Sequence, residues 1–235
     1  MTPAAQRNAL APASPTQWGT ADVTWAGRAP QPGPVPPALP GAWPLLASLA
    51  HLDPELRAHT LRVASLSHKL GVRLGLRAEQ LTHLAWAAQL HDIGKLDLPQ
   101  GLQHKAGELL PAERTAVRAH AVLGEARVRV SLNVSSEVLS AIRHHHEHWN
   151  GLGYPDGLRG TEIPLLARIL TVCDVYDALL SPRSYKPAWT PQEARTELRR
   201  CAGQQFDPGL VPVLLSVLDE GEPAGRRLPD TEAAC

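Results

Sequence analysis

Between positions 144 and 155 the chain reads His144-His145-His146-Glu147-His148-Trp149-Asn150-Gly151-Leu152-Gly153-Tyr154-Pro155. Four imidazoles and a carboxylate fall within five positions, and a glycine-rich turn closed by proline follows. Protonated imidazoles at this density repel one another, and a shared metal ion is the usual partner that relieves the conflict. Donors of the same kind recur elsewhere: Glu55 and His59, His91-Asp92 followed by Ile93-Gly94-Lys95, His120, and Asp174. All are imidazole nitrogens or carboxylate oxygens, and Cys173, Cys201 and Cys235 are too far apart for a thiolate knot. Such a donor set suits Mn, Fe or Zn in a hydrolytic site better than structural zinc.

Helical spacing can bring these donors together. Glu55 and His59 are four apart and share a helix face. His91 and Asp92 are adjacent, as are His145 and His146, and at a helix end both members of a pair can turn toward one ion. His120 and Asp174 come from two further helices, and ligands drawn singly or in pairs from several helices are how bundle-core metal sites are built. The candidate ligands are Glu55, His59, His91, Asp92, His120, His145, His146 and Asp174. One ion cannot use so many; two or three can, with a carboxylate bridging. Closely spaced ions lower the pKa of a shared water and clamp a phosphoryl group for in-line attack. Lys95, one turn past His91 and Asp92, is placed to neutralise charge on phosphate or to assist the leaving oxygen. His91, Asp92 and Lys95 are therefore the candidate catalytic residues. The isolated His51, His68, His83 and His104 are expected to be surface or internally satisfied residues.

The elements that must position these donors are helices. The 235 residues suffice for one large domain. With aromatics at 4% and a single phenylalanine, the core must be Leu, Val and Ala, which favours helix over sheet. Asp53-Pro54 opens a helix by a capping carboxylate and an N1 proline, and Gly71 or Gly75 closes it. Further helices are expected over about 78–91, 111–130, from 135 into the histidine run, from Pro164 to about 180, from the Thr190-Pro191-Gln192-Glu193 capping box to about 203, and from Asp207-Pro208 to about 218. The loop 150–163 stands between the histidine run and the next helix. Residues 1–43 hold nine prolines and Trp18, Trp25 and Trp43, and are expected to form an extended or disordered arm. Residues 219–235 are expected to be a loose tail. The chain is thus expected to be all-α, with its domain at 44–218.

Zero net charge gives no sign of a nucleic-acid polymer as partner. No apolar run is long enough for a membrane span or a signal peptide, and cysteines are sparse, so the expected location is the cytoplasm.

The segments HTLRVA at His59, AAQLHDIGK at Ala87, HHEHWNGLGYPDGLRG at His145, EIPLLARIL at Glu162, CDVYDALLSPRSYKPA at Cys173 and AGQQFDP at Ala202 resemble the HD-GYP family, a branch of the HD phosphohydrolase superfamily. The likeness runs from about Glu55 to Leu218. It implies an HD-domain helical bundle with a GYP loop. The implied activity is hydrolysis of cyclic di-GMP to pGpG or GMP by two or three divalent ions, usually Fe or Mn, held by the eight ligands already named. It implies that Glu55 is the extra carboxylate of trinuclear members, and that Tyr154, Arg183 and Lys186 contact the dinucleotide. It also implies a diguanylate cyclase domain as a partner through the GYP loop, and homodimerisation is plausible for such a body. The chain departs from the family pattern at His148, where arginine is usual, at Asn150, where aspartate is usual, and at Lys105-Ala106-Gly107 in place of KPG. Losing the arginine and aspartate is expected to loosen the GYP loop. The alternatives are an HD phosphohydrolase for another nucleotide, or a non-catalytic receptor or cyclase-docking module. The intact ligand set speaks against a dead enzyme.

Overall fold

A computed structural model describes residues 37–99, 101, 102, 105, 108–181 and 188–220. Its helices are α1 (Trp43–Leu52), α2 (Pro54–Arg73), α3 (Ala78–Leu90), α4 (Pro111–Arg118), α5 (His120–Ser131), α6 (Ser136–His144), α7 (Leu165–Leu180), α8 (Pro191–Arg200) and α9 (Leu210–Glu220), with 3-10 turns at Ile93–Asp97 and Gly160–Glu162. Among the described residues there is no strand, only an isolated bridge between Ala202 and Phe206. The all-α expectation holds.

Local chemistry sets several helix starts. The Asp53 carboxylate accepts hydrogen bonds from the amides of Glu55 (2.9 Å) and Leu56 (3.2 Å), and Pro54 needs no donor partner at the first position. At α8, Thr190 Oγ1 accepts from the Glu193 amide (3.2 Å) while the Glu193 carboxylate accepts from the Thr190 amide (2.7 Å).

The helix expected over 111–130 is instead two, broken at Ala119. The Ala119 amide is shared between the carbonyls of Thr115 (3.2 Å) and Ala116 (3.1 Å), which tightens the turn. The Val117 carbonyl accepts from His120 Nδ1 (2.7 Å). A hydrophobic period cannot register such a break, because it is made by a polar side chain competing for backbone. The arm also ends earlier than expected. Leu39 and Ala42 are buried, so the core begins before position 43, whereas Trp43 is 69% exposed at the start of α1. Trp18, Trp25, the proline run to Pro36, and the tail beyond Glu220 lie outside the described residues.

Helices α2, α3, α6 and α7 form the centre: α2 packs on α3 and α7, and α6 on α3, α5 and α7. The core they share is aliphatic, with Leu70, Leu84, Leu90, Ile142, Ile169 and Leu170 fully buried, and the single phenylalanine, Phe206, from the segment between α8 and α9, is buried with them. Helix α7 is apolar on most of its surface because it is enclosed on several sides.

The turn after α3 lies directly on α5. A Cβ on Gly94 would overlap the His120 carbonyl oxygen and the Gly124 amide nitrogen. That approach brings the His91-Asp92 end of α3 to the start of α5. Gly94→Ala should therefore destabilise the protein by roughly 3 kcal/mol, as an overpacked backbone contact does. Gly75→Ala, at φ +73° with nothing nearby, should cost about 1 kcal/mol. Urea unfolding of both variants checks the ranking.

Candidate metal centre

Five elements deliver side chains to one place inside the bundle. His59 comes from the second turn of α2, and His91 and Asp92 from the end of α3. His120 is the first residue of α5, His145 and His146 follow α6, and Asp174 lies in the middle of α7. Their ligand atoms fall into three overlapping groups, each with mutual separations within 4.8 Å: His59, His91 and Asp174; His91, Asp92 and His145; and His120, His145 and His146. His91 and His145 each belong to two groups, so the groups form one continuous cluster. His91, Asp92, His120 and His145 are buried.

The imidazoles are held in one tautomer from behind. Nδ1 of His91 donates to the Ala88 carbonyl (2.9 Å), that of His120 to Val117 (2.7 Å), and that of His145 to Ile142 (2.6 Å). His59 Nδ1 meets Asp177 Oδ2 at 2.7 Å. In His91, His120 and His145 the hydrogen bond to a carbonyl places the proton on Nδ1 and leaves the Nε2 lone pair facing the cluster, the arrangement a metal ligand requires. His120 Nε2 lies 3.3 Å from His145 Nε2 and 3.1 Å from His146 Nε2, and His91 Nε2 is buried without a hydrogen-bond partner. His120 and His145 carry their protons on Nδ1, so their Nε2 lone pairs face one another at 3.3 Å and repel, and a cation between them removes the repulsion. The residues therefore fit divalent ions.

The electrostatics agree. Burial, and then the neighbouring imidazoles, push the pKa of His145 well below 6.5, and burial with His120 brings His146 down to about 3, so both are neutral donors. Burial opposes the charge on Asp92, but Lys95 and His91 outweigh it and hold the group as a carboxylate. Asp92 Oδ2 is 2.7 Å from Lys95 Nζ and 3.4 Å from His91 Nε2, while Oδ1 is 3.5 Å from His120 Nε2. Its two oxygens thus face different neighbours, as a bridging carboxylate must.

His59 is the opposite case. Its Nε2 is 3.0 Å from Asp174 and its Nδ1 2.7 Å from Asp177. Burial disfavours its charge, yet the two carboxylates raise its pKa from 6.5 to about 9. Without a metal ion, a proton on His59 compensates the acids.

Glu55 is not brought into the cluster. Its side chain is 62% exposed, and Oε1 accepts from Arg62 Nη2 at 2.8 Å. Arg62 is buried and also donates to Asp177, at 2.8 Å and 3.0 Å, and to Ser181 Oγ at 3.1 Å. Asp177 and Arg62 are the partners that sequence reasoning missed. Each follows a predicted ligand by three residues, Asp174 and His59 respectively, so helical spacing held the signal. Arg183 and Lys186 lie outside the described residues.

The loop after the cluster is stapled by Glu147. One carboxylate oxygen accepts from the amides of Asp156 (2.7 Å) and Gly157 (3.0 Å). Gly153 lies so close to the Glu147 backbone that no Cβ fits. Asp156 accepts from Arg143 (2.7 Å) and His144 (2.8 Å), so His144 is turned to the loop and away from the cluster. The expected loosening at Asn150 is not seen. Its amide donates to the Gln204 carbonyl (2.9 Å), its Nδ2 to Gln204 Oε1 (3.2 Å), and its Oδ1 accepts from Leu152 N (3.0 Å). The result is that the Tyr154 ring stacks on His146, with centroids 4.8 Å apart and planes at 24°. No helix of the described residues is long and apolar enough to cross a membrane.

Comparison with known proteins agrees with this arrangement. A family model described as HD domain matches residues 44–210. A 3'3'-cGAMP-specific phosphodiesterase of Vibrio cholerae is 36% identical over 181 residues, covering 75% of this chain and 34% of the relative. A cyclic di-GMP phosphodiesterase response regulator of Xanthomonas campestris is 39% identical over 173 residues, covering 73% and 46%. The chain thus spans between a third and a half of these relatives. Among solved structures, an HDG"Y"P protein from Bdellovibrio bacteriovorus superposes with TM-score 0.58 at 24% identity, covering 69% of this chain and 52% of that one, and shares the fold.

The His59 pocket makes a prediction for the metal-stripped protein. Its folded-state pKa of about 9 lies above the ordinary 6.5, so protonation stabilises the fold. That stability is fully present below about pH 6.5 and is lost as pH rises through about 9, by roughly 3 kcal/mol. The melting temperature should fall across that window, and Asp177→Asn should at least halve the fall; differential scanning calorimetry reads both.

Proposed function

The chain belongs to the HD domain family, in its HD-GYP branch, and we propose that it is a metal-dependent phosphodiesterase that hydrolyses cyclic di-GMP to pGpG or GMP. The observation that carries this reading is the convergence of imidazole nitrogens and the Asp92 and Asp174 carboxylates under a loop that lays Tyr154 on His146. Seven of the eight expected ligands share that cluster. The proposed ligand set is therefore His59, His91, Asp92, His120, His145, His146 and Asp174. Glu55 would join only by releasing Arg62, which supports two ions rather than three. The nitrogen-rich, thiolate-free donor set suits Fe or Mn.

Divalent ions held by these residues would supply an activated water and positive charge for the phosphoryl oxygens. The chain's own residues do the remaining work. Asp92, fixed as a carboxylate by Lys95 and His91, orients groups on both sides of the cluster. Lys95 keeps an ammonium 2.7 Å from Asp92, placed to offset charge developing on phosphate or on the leaving oxygen. His59 is oriented through Nδ1 by Asp177, which Arg62 holds in turn. Tyr154, at the mouth of the cluster, and Arg183 and Lys186 are proposed as contacts to the dinucleotide.

A second reading, that the substrate is 3'3'-cGAMP, draws on the relatives of that name. The partners proposed with the enzyme are a diguanylate cyclase domain meeting the GYP loop, whose Leu152 is 79% exposed, and a second copy of the chain. The proposed location is the cytoplasm.

The test incubates the Mn- or Fe-loaded protein with cyclic di-GMP and with 3'3'-cGAMP and follows products by chromatography. Hydrolysis should stop on chelation, return with metal, and fall by about a thousandfold or more in Asp92→Ala. Tight binding of a dinucleotide without turnover would move the reading to a receptor. Turnover that survives His91→Ala combined with Asp92→Ala would remove the proposed site.

A further inference from the structure

A cyclic dinucleotide carries two phosphodiester groups, each with one negative charge. A metal cluster that cleaves one leaves the other to be met by the protein. Among the described residues, most cations near the cluster are committed: Lys95 to Asp92, Arg62 to Asp177 and Glu55, Arg143 to Asp156. Arg118 differs. It is the exposed last residue of α4, two positions before His120, and it forms no ion pair among the described residues. Its guanidinium carbon lies 5.0 Å from the centre of the Tyr154 ring, and that ring stacks on His146. Arg118, Tyr154 and His146 therefore form a continuous stack from solvent to the cluster, and the break at Ala119 lets α4 and α5 contribute its outer member and a cluster ligand from adjacent turns.

We propose that Arg118 binds the phosphodiester group that is not being cleaved. This rests on the reading of the site as one for a cyclic dinucleotide. A guanidinium lying over an aromatic ring keeps its N–H edge free for two parallel hydrogen bonds to phosphate oxygens, which an ammonium cannot reproduce. The stack also ties the second charge to the loop, because Tyr154 belongs to the turn that Glu147 and Asn150 hold. Arg118 thus selects for substrates with two phosphodiester groups over those with one.

The test compares the Mn-loaded full chain with Arg118→Ala and Arg118→Lys on cyclic di-GMP and on bis(4-nitrophenyl) phosphate, a diester with a single charge. The expected result is a KM for cyclic di-GMP raised by about tenfold or more in Arg118→Ala, with kcat changed by less than about threefold. Arg118→Lys should be intermediate, and metal content and model-diester hydrolysis unchanged. An unchanged KM for cyclic di-GMP overturns the proposal, as does an equal loss on the model diester, which would mean that Arg118 acts through Tyr154 and His146. Wild-type protein that cleaves the model diester but neither binds nor cleaves a cyclic dinucleotide refutes the substrate reading, and Arg118's role with it. If the wild type binds cyclic di-GMP without cleaving either substrate, calorimetry decides: a tenfold weaker Kd in Arg118→Ala upholds the proposal and an equal Kd overturns it.

Discussion

Three imidazole nitrogens, from His120, His145 and His146, meet inside the bundle at separations of 3.1 Å and 3.3 Å along their short contacts. Two of those rings carry their protons on the far side, fixed by backbone carbonyls. Lone pairs held face to face in a dry interior are a cost that hydrophobic packing does not remove. A divalent cation removes it, and the surrounding carbonyls, carboxylates and helix ends are arranged as if that cation were part of the core. The bundle can tolerate the arrangement because its aliphatic core, centred on α2, α3, α6 and α7, stabilises the fold independently.

Positive and negative charge are divided across the cluster. Around His120, His145 and His146 burial keeps imidazoles neutral, whereas around His59 two carboxylates invite a proton. The acidic half is braced by Arg62, which joins α2 to the end of α7 through Asp177 and Ser181. That brace draws Glu55 outward, so one residue sets both the orientation of His59 and the number of carboxylates left for metal. The loop half is braced by Glu147, whose buried carboxylate ties the turn to the histidine run from within. The two braces meet no common residue, so ligand geometry and loop closure can be altered separately.

Much of this was legible in the residues themselves. The donors at 59, 91, 92, 120, 145, 146 and 174 are of the right types, and helical spacing puts them at helix ends or on shared faces. The capping signals at Asp53 and Thr190 act as written because they are local chemistry, decided within one turn. The break at Ala119 was not legible, since it arises from His120 taking the Val117 carbonyl. Nor was Glu55's pairing, because Arg62 takes its place by bonding Asp177 on another helix while it also holds Glu55 on its own. Asn150 was expected to loosen the loop, yet Gln204, distant in sequence, holds it in place.

The sequence by itself determined a helical chain with a nitrogen- and carboxylate-rich set of candidate metal ligands, because residue type and local periodicity carry that information. Tertiary structure alone decided which donors share space. The close approach of Gly94 to α5 brings the His91-Asp92 pair to His120, and the Glu147 staple lays Tyr154 on His146 under Arg118. These are contacts between segments far apart in the chain. Their energies depend on packing that no local pattern records, so the histidine run announces a metal centre while the bundle determines how many of its imidazoles belong to it.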